Sequence, residues 1–114
     1  HVVIFIENDN QYDIDAVGEW FNQHAHFPQG ANVSFARRLS DERVTLQVYE
    51  RGAGRTLACG TAACAVVVAG KQRGILSSNV IVEQLGGDLV VQWNKTDGPV
   101  MLQGAADYVF RGEW

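Results

Sequence analysis

The sequence predicts an α+β domain in which a mostly antiparallel sheet, a β-roll, wraps one central apolar helix. Three observations lead there. Val44, Leu46 and Val48 alternate with Thr45, Gln47 and Tyr49, the period of a strand with one buried face, and several other short runs resemble it. Residues Ala62, Ala63, Cys64, Ala65, Val66, Val67, Val68 and Ala69 leave almost no polar side, and a helix apolar all round has to be surrounded by protein. Finally, 114 residues, 46% hydrophobic and 19% charged, suit one soluble domain with one modest core.

The elements follow in order. Val2 to Ile6 reads as a buried strand, and Glu7 to Tyr12 as a polar loop around Asn8-Asp9-Asn10. Asp13 can cap a helix reaching about His24, with Ile14, Val17 and Phe21 on one face. The run from His24 to Gly30, with Pro28, breaks it. Asn32 to Leu39 and Arg43 to Glu50 read as strands joined by a turn at Ser40-Asp41-Glu42. The apolar helix runs from Gly60 to about Arg73. Lys71 and Arg73 suit the negative end of its dipole, and Gly74 stops it. Asn79 to Leu85 and Asp88 to Trp93 form a hairpin about a Gly86-Gly87 turn. A turn at Lys95 to Gly98 precedes two further strands, around Val100 and Tyr108.

Composition narrows the function classes. A formal net charge of -4 with scattered Lys and Arg gives no nucleic-acid surface. No apolar run is long enough to span a bilayer, so no membrane role is expected. The two cysteines, Cys59 and Cys64, are five apart. On a helix that spacing separates their faces and disfavours a mutual disulfide. Two sulfurs without matched histidines make a poor zinc site, so no metal is expected, and reduced thiols point to the cytoplasm. The chain opens without Met directly on a strand-like run, which suggests a domain cut from a longer protein.

The chemistry concentrates at Cys59. A strand ending in Tyr49-Glu50-Arg51 leads through Gly52-Ala53-Gly54 to Cys59-Gly60-Thr61 at the mouth of the apolar helix. A helix N-terminus stabilises an anionic sulfur through unpaired N–H groups and aligned peptide dipoles. Gly60 lets a ligand approach the backbone, and Thr61 adds an N–H and a hydroxyl. A substrate carboxylate held there would bring its Cα–H within reach of the sulfur. Most cysteines are inert packing, and Cys64, inside the helix, is read that way. Glu50, Arg51, Asn32 and His1 would not be nominated on pattern alone: a charged pair at a strand end, a turn residue and a terminal residue are all ordinary features.

Taken together, Val48-Tyr49-Glu50-Arg51-Gly52-Ala53-Gly54, Thr56-Leu57-Ala58-Cys59-Gly60-Thr61 and Ala63-Cys64-Ala65 closely resemble the C-terminal half of diaminopimelate epimerase. Phe27-Pro28-Gln29-Gly30-Ala31-Asn32-Val33-Ser34-Phe35 and His1-Val2-Val3 extend the resemblance over nearly the whole chain. Proline racemases and phenazine-pathway isomerases share the fold class but differ around the turn. The resemblance implies a cytoplasmic isomerase of lysine biosynthesis that interconverts L,L- and meso-diaminopimelate without pyridoxal phosphate, metal or any other cofactor. Two similar domains face each other, and each contributes one cysteine. Cys59 matches the C-terminal thiol, and Gly60 and Thr61 match donors to the reacting carboxylate. Asn32, Glu50 and Arg51 match groups gripping the distal amino-acid end, with Glu50 also near the sulfur. His1 matches a histidine beside the other thiol. The implied partners are the substrate and the N-terminal domain, which this chain lacks; a homodimer is compatible.

The chain departs from the pattern in places. Arg55 stands where the family usually has Glu, Ala62 replaces a common Gly, and the Asn-Pro that precedes the family's histidine is missing before His1. Cys64 cannot be the opposing acid because it shares a helix with Cys59. Two alternatives remain open on the residues: a racemase of another amino acid, and a carboxylate-binding module without catalysis. A cysteine hydrolase lacks a histidine in a recognisable partner motif.

Overall fold

A computed structural model describes all residues, 1–114. Two helices and seven strands follow the order β1 (Val2–Ile6), α1 (Ile14–Gln23), β2 (Val33–Ser40), β3 (Arg43–Glu50), β4 (Gly54–Thr56), α2 (Gly60–Gln72), β5 (Asn79–Gln84), β6 (Gly87–Gln92) and β7 (Met101–Gly104). The strands form one mixed sheet in the order β1-β2-β3-β5-β6-β7, and β4 also pairs with β3. β1 with β2, and β3 with β5, are parallel; the other four pairings are antiparallel. The outer edge of β3 is divided, with Val48–Glu50 bound to β4 and Arg43–Thr45 to β5.

Each parallel pair is bridged by a helix, and the helices lie on opposite faces of the sheet. Side chains alternate along a strand, so β2 and β3 each serve two cores. Val33, Phe35 and Tyr49 pack with Ile14, Val17 and Phe21 of α1. Ala36, Val44, Leu46 and Val48 pack with Ala62, Ala63, Val66 and Val67 of α2. Val80, Val82 and Val91 close the second core from β5 and β6. Asp13 caps α1, its Oδ1 accepting the Ala16 N–H at 3.1 Å. α2 ends where Gly74 adopts φ +73° and donates to Lys71 O, which relieves the last carbonyls.

Four expectations need correction. The strand around Tyr108 does not form: residues 105–114 have no regular structure, and Tyr108 is 83% exposed with no ladder to join. The hairpin turns at Leu85-Gly86, because Gln84 pairs with Gly87. Gly87 therefore opens β6, at φ +133°. Gly54, read as the end of the turn, instead opens a short strand that was not expected, β4. The sheath around α2 is incomplete, since Cys64, Ala65, Val68 and Ala69 are only partly buried.

Candidate active site

Three neighbouring strands bring side chains to one spot. The register pairs Val2 with Val33 and Val33 with Tyr49. Continued one residue outward, it sets His1, Asn32 and Glu50 at the same end of β1, β2 and β3. Alternation places all three on the α2 face, because Val3 and Val48 pack with α2 whereas Val33 packs with α1. Asn32 Oδ1 accepts the Arg51 backbone N–H at 2.8 Å, and Arg51 Nη1 donates to Gln29 O at 3.2 Å. His1, Asn32 and Arg51 line one cavity of ≈ 290 Å³ with Val2, Phe27, Gly30 and Ala31.

Helix α1 holds that loop in place. Asn22 accepts the Ala31 N–H and donates to Ala31 O, both at 3.0 Å. Gly30 has φ +75°, and a Cβ there would lie 2.4 Å from Asn22 Oδ1. Only glycine suits both the backbone and the space.

Glu50 is tied to β4. Thr56 Oγ1 donates to Glu50 Oε1 at 2.7 Å across the β3–β4 ladder. Cys59 lies three residues beyond Thr56, at most about 11 Å of extended chain. It is the N-cap of α2, in extended conformation (φ -148°, ψ 113°), and its side chain makes no capping bond. Its Sγ lies 3.5 Å from Thr61 Oγ1. The first helical bond runs from Ala63 N–H to Cys59 O at 3.1 Å, so the N–H groups of Gly60, Thr61 and Ala62 have no acceptor within the helix. That arrangement can hold an anion beside a half-buried thiol. A Cβ on Gly60 would meet Leu102 Cδ2 at 2.9 Å, so here the glycine accommodates β7.

Both thiols are free. Burial pushes the Cys64 pKa up, and negative charge on Cys59 pushes the same way, against a smaller lowering by a backbone hydrogen bond. Cys64 therefore stays a neutral thiol where an ordinary cysteine ionises.

The structure thus joins His1, Asn32 and Arg51 around one cavity, links Glu50 to Thr56, and sets Cys59 beside Thr61. Glu50, Cys59, Gly60 and Thr61 line none of the chain's five cavities. A further groove of ≈ 210 Å³ between β4 and β5 is lined by Leu46, Gln47, Val48, Arg55, Thr56, Leu57 and Leu85 and contains no cysteine. No group of three or more His, Cys, Asp or Glu residues is placed to hold a metal ion. No helix is long and apolar enough to cross a membrane.

Arg55 faces away from this chemistry. It pairs with Tyr49, on the α1 side of the sheet, and its Nη2 donates to Gln47 Oε1 at 3.0 Å. Three polar contacts were not legible in the sequence: Asn22 on Ala31, Thr56 on Glu50, and the Gln84 side chain, whose Oε1 accepts the Cys59 N–H at 2.8 Å.

Comparison with known proteins shows the family and the fold. The diaminopimelate epimerase family model matches residues 1–109. The chain is 42% identical over 113 residues to a diaminopimelate epimerase of Methanococcus maripaludis, covering 99% of this chain and 41% of that relative. It is 42% identical over 114 residues to the diaminopimelate epimerase of Coxiella burnetii, covering 100% of this chain and 41% of that relative. It therefore spans about two-fifths of the length of these curated relatives. A PhzF-family phenazine biosynthesis protein of Bacillus anthracis superposes with a TM-score of 0.60 at 14% identity, over 88% of this chain and 33% of that one, and so shares the fold. With the family model spanning nearly every residue and the Cys59-Gly60-Thr61 helix start on that fold, the chain belongs to the diaminopimelate epimerase family.

Proposed function

We propose that this chain is the C-terminal half of an epimerase that interconverts L,L- and meso-diaminopimelate without a cofactor, and that it supplies one of two opposed thiols. The observation that carries the reading is Cys59 at the N-cap of α2, its sulfur beside Thr61 and the next three backbone N–H groups without helical acceptors. The Cys59 thiolate takes the proton from the substrate Cα. The C–H electron pair stays on the substrate and spreads into the adjacent carboxylate, where donors from Gly60 and Thr61 meet the growing charge. A thiol from a second domain gives its proton to the opposite face and becomes the thiolate. The stereocentre is inverted with no net change in atoms or charge. Asn32, Glu50 and Arg51 hold the distal amino-acid end, with Glu50 also steadying the region of the sulfur. His1 stands beside the opposing thiol. Two free thiols suit a reducing cytoplasm.

The test uses the natural full-length enzyme. An electrophilic diaminopimelate analogue is expected to alkylate Cys59, as read by peptide mapping. Cys59→Ala is expected to lower kcat by about a thousandfold. An enzyme that inverts diaminopimelate at an unchanged rate after this substitution would overturn the assignment. One that racemises proline and ignores diaminopimelate would overturn the substrate.

A further inference from the structure

We infer that Gln84 is a positioning residue for Cys59, an inference that rests on the reading of Cys59 as the reacting thiol. Gln84 is the last residue of β5, and Cys59 precedes α2, so 25 residues separate two groups that meet directly. Gln84 Oε1 accepts the Cys59 backbone N–H at 2.8 Å. Two residues on, in the turn, Gly86 N–H donates to Leu57 O at 2.8 Å. The two bonds grip the segment Leu57–Cys59 from both ends. The grip is close: a Cβ on Gly86 would lie 3.1 Å from Ala58 Cβ and 3.2 Å from Leu57 O.

The choice of glutamine is informative. Its Nε2 is buried and has no hydrogen-bond partner. A buried unpaired donor destabilises the fold, so an apolar side chain of similar length would serve packing better. What glutamine adds is the acceptor for Cys59. By taking that N–H, Gln84 fixes the peptide plane that leads into the N-cap, and with it the direction of the Cα–Cβ bond that carries the sulfur, 3.5 Å from Thr61 Oγ1. The neighbouring N–H groups of Gly60, Thr61 and Ala62 stay available to an anion. A neutral acceptor satisfies the bond without setting a negative charge beside the sulfur, which a carboxylate would do.

The experiment separates position from packing. In this chain, Gln84→Met is expected to speed hydrogen exchange of the Cys59 amide about tenfold. The remaining α2 amides should stay as protected as before, and the urea midpoint should stay equal or rise. In the full-length enzyme the same substitution is expected to lower kcat about tenfold with KM within twofold. Gln84→Glu is expected to keep the Cys59 amide protected and still lower kcat, because of its charge. Unchanged Cys59 exchange in Gln84→Met would overturn the inference. So would a general loss of α2 protection, which would make the role structural. A wild-type full-length enzyme without epimerase activity would refute the proposed function, while the amide exchange would still report whether the bond exists.

Discussion

Two cysteines five residues apart end in different chemical situations, and the difference lies in where each meets the helix. Cys59 caps the N-terminus beside Thr61 and free N–H groups, whereas Cys64 lies inside α2, against the core. Iodoacetamide at pH 7.5 is therefore expected to label Cys59 well before Cys64, as read by mass mapping; the reverse order would contradict the assignment of roles. Stability should also report on Cys64. Its folded pKa is raised, by burial first and by the Cys59 charge second. Above the usual thiol range the native state then holds more protons than the unfolded chain, so stability is intact at neutral pH and falls as pH rises toward the folded value. Urea midpoints measured from pH 7 to 10.5 should fall less steeply in Cys64→Ala than in wild type. The place of Cys59 at the start of α2 could be read from sequence because a glycine turn before it and Gly60-Thr61 after it are local signals. Thr56 and Gln84 could not, because each acts through a side-chain bond to a residue that only the sheet brings near. The orientation of Arg55 was hidden for the same reason: its face depends on the register of β4 against β3.

Elements were legible where period and caps agreed. α1 has its Asp13 cap and its Ile14, Val17 and Phe21 face, and both survive in the structure. β4 was illegible because three residues cannot display a period, and the run near Tyr108 misled because it carries strand-type residues but finds no partner strand. The seat of α1 on the sheet depends on one glycine that propensity alone would call a weakness. Gly18 sits against the Tyr49 ring, and a Cβ there would lie 2.2 Å from Tyr49 Cγ. Alanine would favour the helix by about 1 kcal/mol. The rigid ring, held between β3 and α1, cannot yield that distance without shifting the helix. Gly18→Ala is accordingly expected to lower stability by about 2 kcal/mol, measured by urea unfolding. A stabilised variant would show that α1 is not seated on Tyr49. In α2, Val66 is fully buried among core residues from the sheet. Val66→Ala should cost about 2 kcal/mol by loss of packing, partly offset by helix propensity.

At the scale of the molecule, the sheet wraps α2 on one side and leaves the stripe of Cys64, Ala65, Val68 and Ala69 partly open. Large apolar side chains are also exposed beyond and along the last strand: Met101, Leu102, Tyr108, Val109, Phe110 and Trp114. The site has the same one-sided character. His1, Asn32 and Glu50 gather at one end of the strands and Cys59 at one end of the helix, yet every thiol in the chain belongs to α2 or its cap. Cys64 is raised in pKa and lies in the same helix as Cys59, so it is a poor candidate for a base on the opposite face of a substrate. A single base can remove a proton and return one only to the face it came from. Inversion requires a donor on the other side. On the proposed reading, a second wall would keep water from the carboxylate and preserve the field of the helix N-terminus. The isolated chain is therefore expected to show no measurable inversion of L,L-diaminopimelate in heavy water, followed by NMR of the α-position and chiral chromatography. Adding the separately produced remainder of the natural protein should restore both exchange and inversion. Inversion by the 114-residue chain alone would show that the opposing proton comes from a source other than a second domain.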